Sequence, residues 1–564
     1  MDFRVAGRLL VVCALALVAL PAATAAADST TVAGSTSPTP IPPGVLPERP
    51  AGFEISAREA LRIAGRDSVV AEQTQRYGQL ETAIQEKSDG SGWQVGYKHD
   101  GNEVAQVIVD ALTGEVREAW TGYQVAWPMA RGYEHQFGHI LNAPYVWIPL
   151  CVVFLFGLLD WRRPWRIAHL DLVVLLAFGI SHVFFNRGEI GVSVPLVYPL
   201  LAYLFARMAW VGFRGGERLR PTAPIAVLGF LAVALLVFRV TINVADSGVI
   251  DVGYAGTIGA DKLAHGETIW GEGEFPDDNR FGDTYGPVNY YAYVPFELAL
   301  PWSGDWDHLP SSHAAALAFD LATVLGLFVF GLRRLPGDRG RDLGVVLAFG
   351  WLAYPYTDFA LQSNSNDSLV AALLVWSLVF FARPVGRGVL LALATMAKFV
   401  ALPLAPLYAA GTRGLLARRP RDLRPVLVFA IAFAAAGALL LVQPALDPGL
   451  ATFYDRTVKS QIERQSPFSI WGLEDWRTLQ TVVTVLTVAF AAALAFVPRR
   501  RTLAQVAALA AAVIVALELG ADHWFYLYIP WFFGMLLIAL TTCAPKVRVA
   551  DASSGYEAPT VIPS

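Results

Sequence analysis

Apolar runs of about 18 or more residues recur along this chain, and no other feature limits its fold so strongly. Each run can cross a hydrocarbon layer of roughly 30 Å as a helix. Lipid offers the backbone no hydrogen bonds, so a span must satisfy its own, and a helix does so. Charge is sparse to match. Of the 564 residues 16% are charged and 55% hydrophobic, where a soluble domain carries about 25% charge. The pattern predicts an all-α polytopic membrane protein with about eleven spans. They are expected at Tyr145–Leu159, Ala168–Phe185, Val192–Trp210, Pro224–Val244, Ser312–Leu332 and Leu343–Tyr356. The rest are expected at Ser368–Ala382, Pro425–Gln443, Leu479–Val497, Leu503–Gly520 and Trp524–Cys543.

The N-terminal part has another character. Arg4 and Arg8 precede a short apolar core that ends in small residues near Ala25 to Ala27, as a signal peptide over residues 1–27 would. An uncleaved anchor would leave the next domain on the same side. Residues 28–50, rich in Ser, Thr, Pro and Ala, read as a linker. Residues 51–123 predict a small α+β extracytoplasmic domain. ISAREALRIAGRD has a helical period, WQVGYK and EVAQVIVD alternate like strands, and ALTGEV supplies a turn. Val107 to Val116, V-x-V-D-x-x-T-G-x-V, resembles the PepSY-type domain, which implies a binding or spacer module without catalysis. Cys13, Cys151 and Cys543 all fall outside it, so no disulfide framework is expected there. Three additional transmembrane helices (143–212), a membrane core (221–543) and a cytoplasmic disordered tail (544–564) complete the expected order.

Arg clusters set the topology. Trp161–Arg166, Arg214–Arg220, Arg333–Arg341, Arg383–Arg387, Arg413–Arg424 and Arg499–Arg501 fall on one side if the small domain lies outside. The net charge of −4 hides this asymmetry between loops, which gives topology and says nothing about nucleic acid. One segment breaks simple alternation. Gly388–Ala410 has Arg-rich flanks at both ends, which predicts re-entrant half-helices meeting near Lys398 and Pro403. YGPVNYYAYVPFELALPW, flanked by acids, predicts an interfacial or re-entrant helix on the outer face.

The outer loops hold the polar residues that packing does not need. Asp246 to Trp302 carries ten acidic and two basic residues. Thr357–Asp367, Asp447–Trp476 and Ala521–Tyr528 supply amides, cations and aromatics. Charged groups at membrane depth are costly and mark a pathway or a site. Asp251 opens the first loop just past a helix end, with Asp246 five residues before it. Lys398 stands inside an apolar run, and Lys459, Arg464 and His523 lie in outer loops.

Order and membrane side together carry a resemblance. Asp251 and Tyr254, then Leu263, Gly266 and Trp270, then Tyr285-Gly286-Pro287 resemble the head of GT-C glycosyltransferases. The branch is similar to the polyprenol-phosphate-mannose-dependent α-mannosyltransferases of glycosyltransferase family 87. QSNSNDSLVAALL, with Gln362, Asn364 and Asn366, resembles the family's G-Q-x-N segment, and LALATMAKFVALPLAPL its Lys-bearing helix. Gly286 stands where the family has Pro, and the Gln362 motif lacks its Gly.

The resemblance implies a GT-C-like fold and sugar transfer from a polyprenyl-phosphate sugar donor to a glycolipid or glycan acceptor in the cell envelope. It implies inversion, no metal and no cofactor beyond the lipid-linked donor. Asp251, with Asp246 second, would be the catalytic base. Tyr254, Tyr285, Gln362, Asn364, Asn366, Lys398, Lys459, Arg464 and His523 would bind substrate, the cations offsetting phosphate charge. A transporter would instead show two related halves, and no internal repeat is evident. An envelope sensor or scaffold would work through the small exported domain and leave the acidic loop dispensable.

Overall fold

The computed structural model describes residues 49–87, 90–132, 139–463, 466–474 and 476–543. The expected signal peptide, most of the linker, the tail and Arg464 lie outside them.

The small domain begins with α1 (Ala57–Ala64) and α2 (Ser68–Tyr77). Ser56 and Asp67 cap them by accepting from the amides of Glu59 and Val69, which satisfies amides that have no partner inside the helix. Four antiparallel strands follow in the order β1 (Glu81–Glu86), β2 (Gly92–His99), β3 (Asn102–Asp110), β4 (Val116–Thr121). The hairpin read from the sequence is β2–β3. The flanking strands β1 and β4 were not anticipated, because ETAIQE and VREAWT are short and charged, as edge strands are. Trp93 is buried at the centre and its indole donates to the Ile55 carbonyl at 2.8 Å. The T-G turn has a physical basis. Asp110 accepts from the amides of Leu112 and Thr113, both at 2.8 Å, and these bonds hold its carboxyl down at about 2. Gly114 supplies the positive φ of +70°.

The membrane part is helical throughout. Every expected span has a helix at its place, from Pro144–Leu158, Ile167–Asn186, Ile190–Arg214 and Ile225–Asp246 through Pro310–Arg334, Asp338–Ala353 and Asp367–Val379. Arg424–Leu440, Arg477–Ala493, Leu503–Gly520 and Ile529–Thr542 complete the set. Five of the described helices are long and apolar enough to cross a membrane by themselves, and the others are shorter. The Arg-flanked segment is broken as its composition requires. Helix Pro384–Ala397 ends at Lys398, which is extended (φ −141°, ψ 130°). A 3₁₀ stretch, Phe399–Leu404, and a helix, Ala405–Ala410, follow. The Tyr-rich segment forms two short helices, Pro287–Tyr291 and Val294–Glu297, neither able to span.

Several buried charges of the helical core are paired, which offsets their desolvation. Arg207 meets Asp171 at 3.0 Å. Arg239 meets Asp320 at 2.8 Å and Asp358 at 3.6 Å, and donates to carbonyls of Trp351, Leu352 and Thr357. That network pins the end of helix Asp338–Ala353 to the first core helix. It thereby fixes where the next polar segment, Gln362–Asp367, enters the site.

Candidate functional site

Helix Asp251–His265 carries glycine at every third position of its first half, and the three glycines share one face. Each allows a close approach. A Cβ on Gly253 would lie 2.2 Å from the Asn364 carbonyl oxygen, and one on Gly256 or Gly259 would enter the rings of Tyr293 or Tyr290. The helix therefore lies flush against the polar segment on one side and the Tyr-rich helices on the other. Its first residue, Asp251, is exposed, and its carbonyl accepts from the Asn279 amide at 2.9 Å.

Tyr254, one turn on, is buried. It stacks on Trp306 at 4.6 Å and meets Trp302 edge-on at 5.8 Å. Burial and the nearby carboxylates of Asp278, Asp305 and Asp307 keep its hydroxyl protonated. Asp246 does not stand with Asp251, since its carboxylate accepts from the Ile140 amide at 3.1 Å.

Segment Gln362–Asp367 joins this helix to the Lys398 break. The Ile250 amide donates to the Ser363 carbonyl at 3.0 Å. Asn364, at φ +46°, spends its whole amide group on the scaffold. Its Oδ1 accepts from Asn243, and its Nδ2 donates to Ser247 and Gly248. Gln362 Nε2 donates to the Arg239 carbonyl and to Asp358, while its Oε1 stays buried without a partner. Both side chains are fully buried, so they hold the segment in place. Asn366 differs. Its Nδ2 donates to Asn289 at 2.7 Å, while Asn366 Oδ1 and Asn289 Nδ2 stay buried without a partner. Orphaned buried polar atoms are uncommon and call for an explanation.

Asp367 follows, at 1% exposure. Its Oδ1 accepts from Lys398 Nζ at 2.5 Å and from the Trp531 indole at 2.8 Å. Three rings surround the ammonium, Trp531 at 5.1 Å, Tyr285 at 5.4 Å and Tyr528 at 5.8 Å. Tyr528 stacks on Trp531 at 4.1 Å. The approach of Tyr285 depends on Gly286, where a Cβ would lie 2.2 Å from the Met396 carbonyl oxygen.

His523 reaches the same aromatic group through Tyr528, ring centroids 6.3 Å apart. Its Nδ1 is 2.9 Å from Ser466 Oγ. Trp127, on the segment leaving the small domain, packs on it at 5.7 Å. Lys459 is exposed and lies 4.0 Å from Asp455. It is a neighbour, Arg456, that ties the loops together, gripping the buried Asp283 at 2.5 and 2.8 Å.

The structure thus gathers Tyr285, Asn366, Lys398 and His523, and sets Asp251 on the adjoining helix. Lys459 stands apart on the surface. Sequence reading passed over Asp367, Asn289, Trp531 and Arg456. An acid opening an apolar run is a signal in its own right, and Asp367 could have been found by it. Among the described residues no group of three or more His, Cys, Asp or Glu side chains is arranged to hold a metal.

Residues 284–521 match the model of glycosyltransferase family 87. The match contains the Asp367–Lys398 pair and begins just before Tyr285. No curated protein matches the chain.

Proposed function

We propose that this membrane glycosyltransferase, family 87 by the match over residues 284–521, moves mannose from a polyprenyl-phosphate donor to an envelope glycolipid or glycan. The observation that carries the donor class is the Lys398–Asp367 pair, a nearly buried cation under three aromatic rings. Aromatic faces pack on sugar rings and isoprenoid alike, and an ammonium close by offsets phosphate charge.

The chemistry is a single displacement with inversion. The acceptor oxygen bonds to the anomeric carbon, and the bond from that carbon to the phosphate oxygen breaks. The electron pair leaves with the phosphate, beside Lys398. Asp251 takes the acceptor proton. Of the two candidate bases Asp251 is favoured, because the Asp246 carboxylate is committed to the Ile140 amide. Gln362 and Asn364 act as positioning residues, and Asn366 offers an unspent acceptor next to Asp367. We assign the site to the extracytoplasmic face, opposite the Arg-rich loops.

Purified protein supplied with polyprenyl-phosphate mannose should glycosylate an envelope lipid fraction, with the product read by mass. A nucleotide sugar alone should not support transfer. Transfer from the nucleotide sugar without lipid carrier would overturn the donor assignment.

A further inference from the structure

Two Arg-rich loops close on each other at one end of the bundle. Arg413 and Arg500 form an antiparallel bridge. The Gly414 amide donates to the Arg499 carbonyl, and the Arg501 amide to the Thr412 carbonyl, both at 3.0 Å. This pairing buries Arg501 to 5% exposure, yet its Nε, Nη1 and Nη2 all lack a hydrogen-bond partner.

Two more guanidiniums accompany it. Arg387, also 5% exposed, lies over Phe381 and Phe429 and donates to the carbonyls of Phe381 and Ala409, leaving Nε unpartnered. Gly411, at φ +65°, turns so close that a Cβ would lie 3.2 Å from Arg387 Nη2. Arg418 donates to the carbonyls of Arg413, Asp422 and Ala410, and its charge bears on both Arg387 and Arg501. Among the described residues no carboxylate forms an ion pair with any of the three. Burying the Arg387 and Arg501 charges without a counterion is costly, and each orphaned donor adds to it. A fold does not retain such a cost unless something offsets it.

We propose that Arg501, Arg387 and Arg418 form a binding site for a phosphate-class oxyanion, apart from the sugar-transfer site. The two sites lie at opposite ends of helix Pro384–Ala397, with Arg387 in its first turn and Lys398 just past its last. Guanidinium forks match the oxygens of a phosphate group. The anion can arrive as a phospholipid headgroup or as free phosphate. A cavity of about 310 Å³ is lined by Phe330, Arg333, Arg334, Phe380, Arg383 and Leu503, the last two close in sequence to Arg387 and Arg501, and its mixed basic and apolar wall suits a headgroup with its chain.

Thermal unfolding of the full chain distinguishes the cases. Wild type, Arg501→Met and Arg418→Gln would be compared in detergent with inorganic phosphate or with chloride at equal ionic strength. The same proteins would be compared in nanodiscs of phosphatidylcholine with or without phosphatidylglycerol. The expected result is a rise in wild-type Tm of about 3 °C or more with one of the two phosphate sources, absent from both variants. Without added anion Arg501→Met should melt above wild type, because it removes an orphaned charge. A response to inorganic phosphate identifies a free anion, and a response to phosphatidylglycerol alone identifies a headgroup. No rise with either source, or an equal rise in wild type and variants, would overturn the proposal.

Discussion

Lys398 Nζ lies 2.5 Å from Asp367 Oδ1, although Asp367 opens one helix, Lys398 lies just past the end of another and the carboxylate is 1% exposed. The pair draws together the broken helix, the amide-rich segment and the last helix through Trp531. Removing one partner leaves the other charged in a poor solvent, at a cost of about 3–5 kcal/mol. Lys398→Met should therefore lower Tm sharply, while Lys398→Met combined with Asp367→Leu should recover most of the loss. Neither should transfer sugar. Transfer by the double variant would reduce the pair to a structural role.

Gly286 stands against the Met396 carbonyl. Its alanine variant would place a Cβ 2.2 Å from that oxygen, and backbone yields little. Gly286→Ala should cost about 1–3 kcal/mol and push Tyr285 off Lys398. In donor titrations the KM for donor should rise while the variant still folds. An unchanged KM would detach Tyr285 from donor binding.

Arg456 holds the loop after Asp447 onto the acidic loop through Asp283. Arg456 is one-quarter exposed but Asp283 is fully buried, so the loss falls on the carboxylate. Arg456→Ala should expose the segment around Asp283 to protease at concentrations that leave wild type intact. Equal cleavage in both proteins would show that the loops hold without the pair.

Asp278 has an acidity of its own. Burial first, then the charges of Asp277 and Asp305, raise its carboxyl above the usual range, and its Oδ1 is buried without a partner. A raised carboxyl favours the protonated folded state. Its contribution to stability is present below the ordinary range near pH 4 and is lost as pH rises through the raised value. Asp278→Asn should melt above wild type at neutral pH, with the gap closing as pH falls. A gap that stayed constant with pH would rule out Asp278 as its source.

Much of the scaffold was legible because its cause is local. Apolar length marks a span, and Arg flanks around Gly388–Ala410 demand a break, which falls at Lys398. The β2–β3 hairpin shows through alternation and the Asp110 turn. The pairs that build the site were not legible, because they depend on where separate helices meet. Nothing near Arg456 points to Asp283, and nothing near Arg239 points to Asp320. Gln362 and Asn364 read as polar and available, yet packing spends the whole Asn364 amide and the Gln362 Nε2 on the scaffold. The glycines of the Asp251 helix look like poor helix formers until the rings of Tyr290 and Tyr293 fill the space they leave.

Asp251 is where sugar transfer can be tested with least disturbance to the fold, since it is exposed and opens its helix. The decisive measurement is single-turnover transfer from polyprenyl-phosphate mannose by purified Asp251→Asn, alongside its Tm and donor affinity. The rate should fall by about 10²–10⁴-fold, the contribution of a general base, with Tm and affinity unchanged. A wild-type rate in that variant would contradict the assignment of Asp251 as the base.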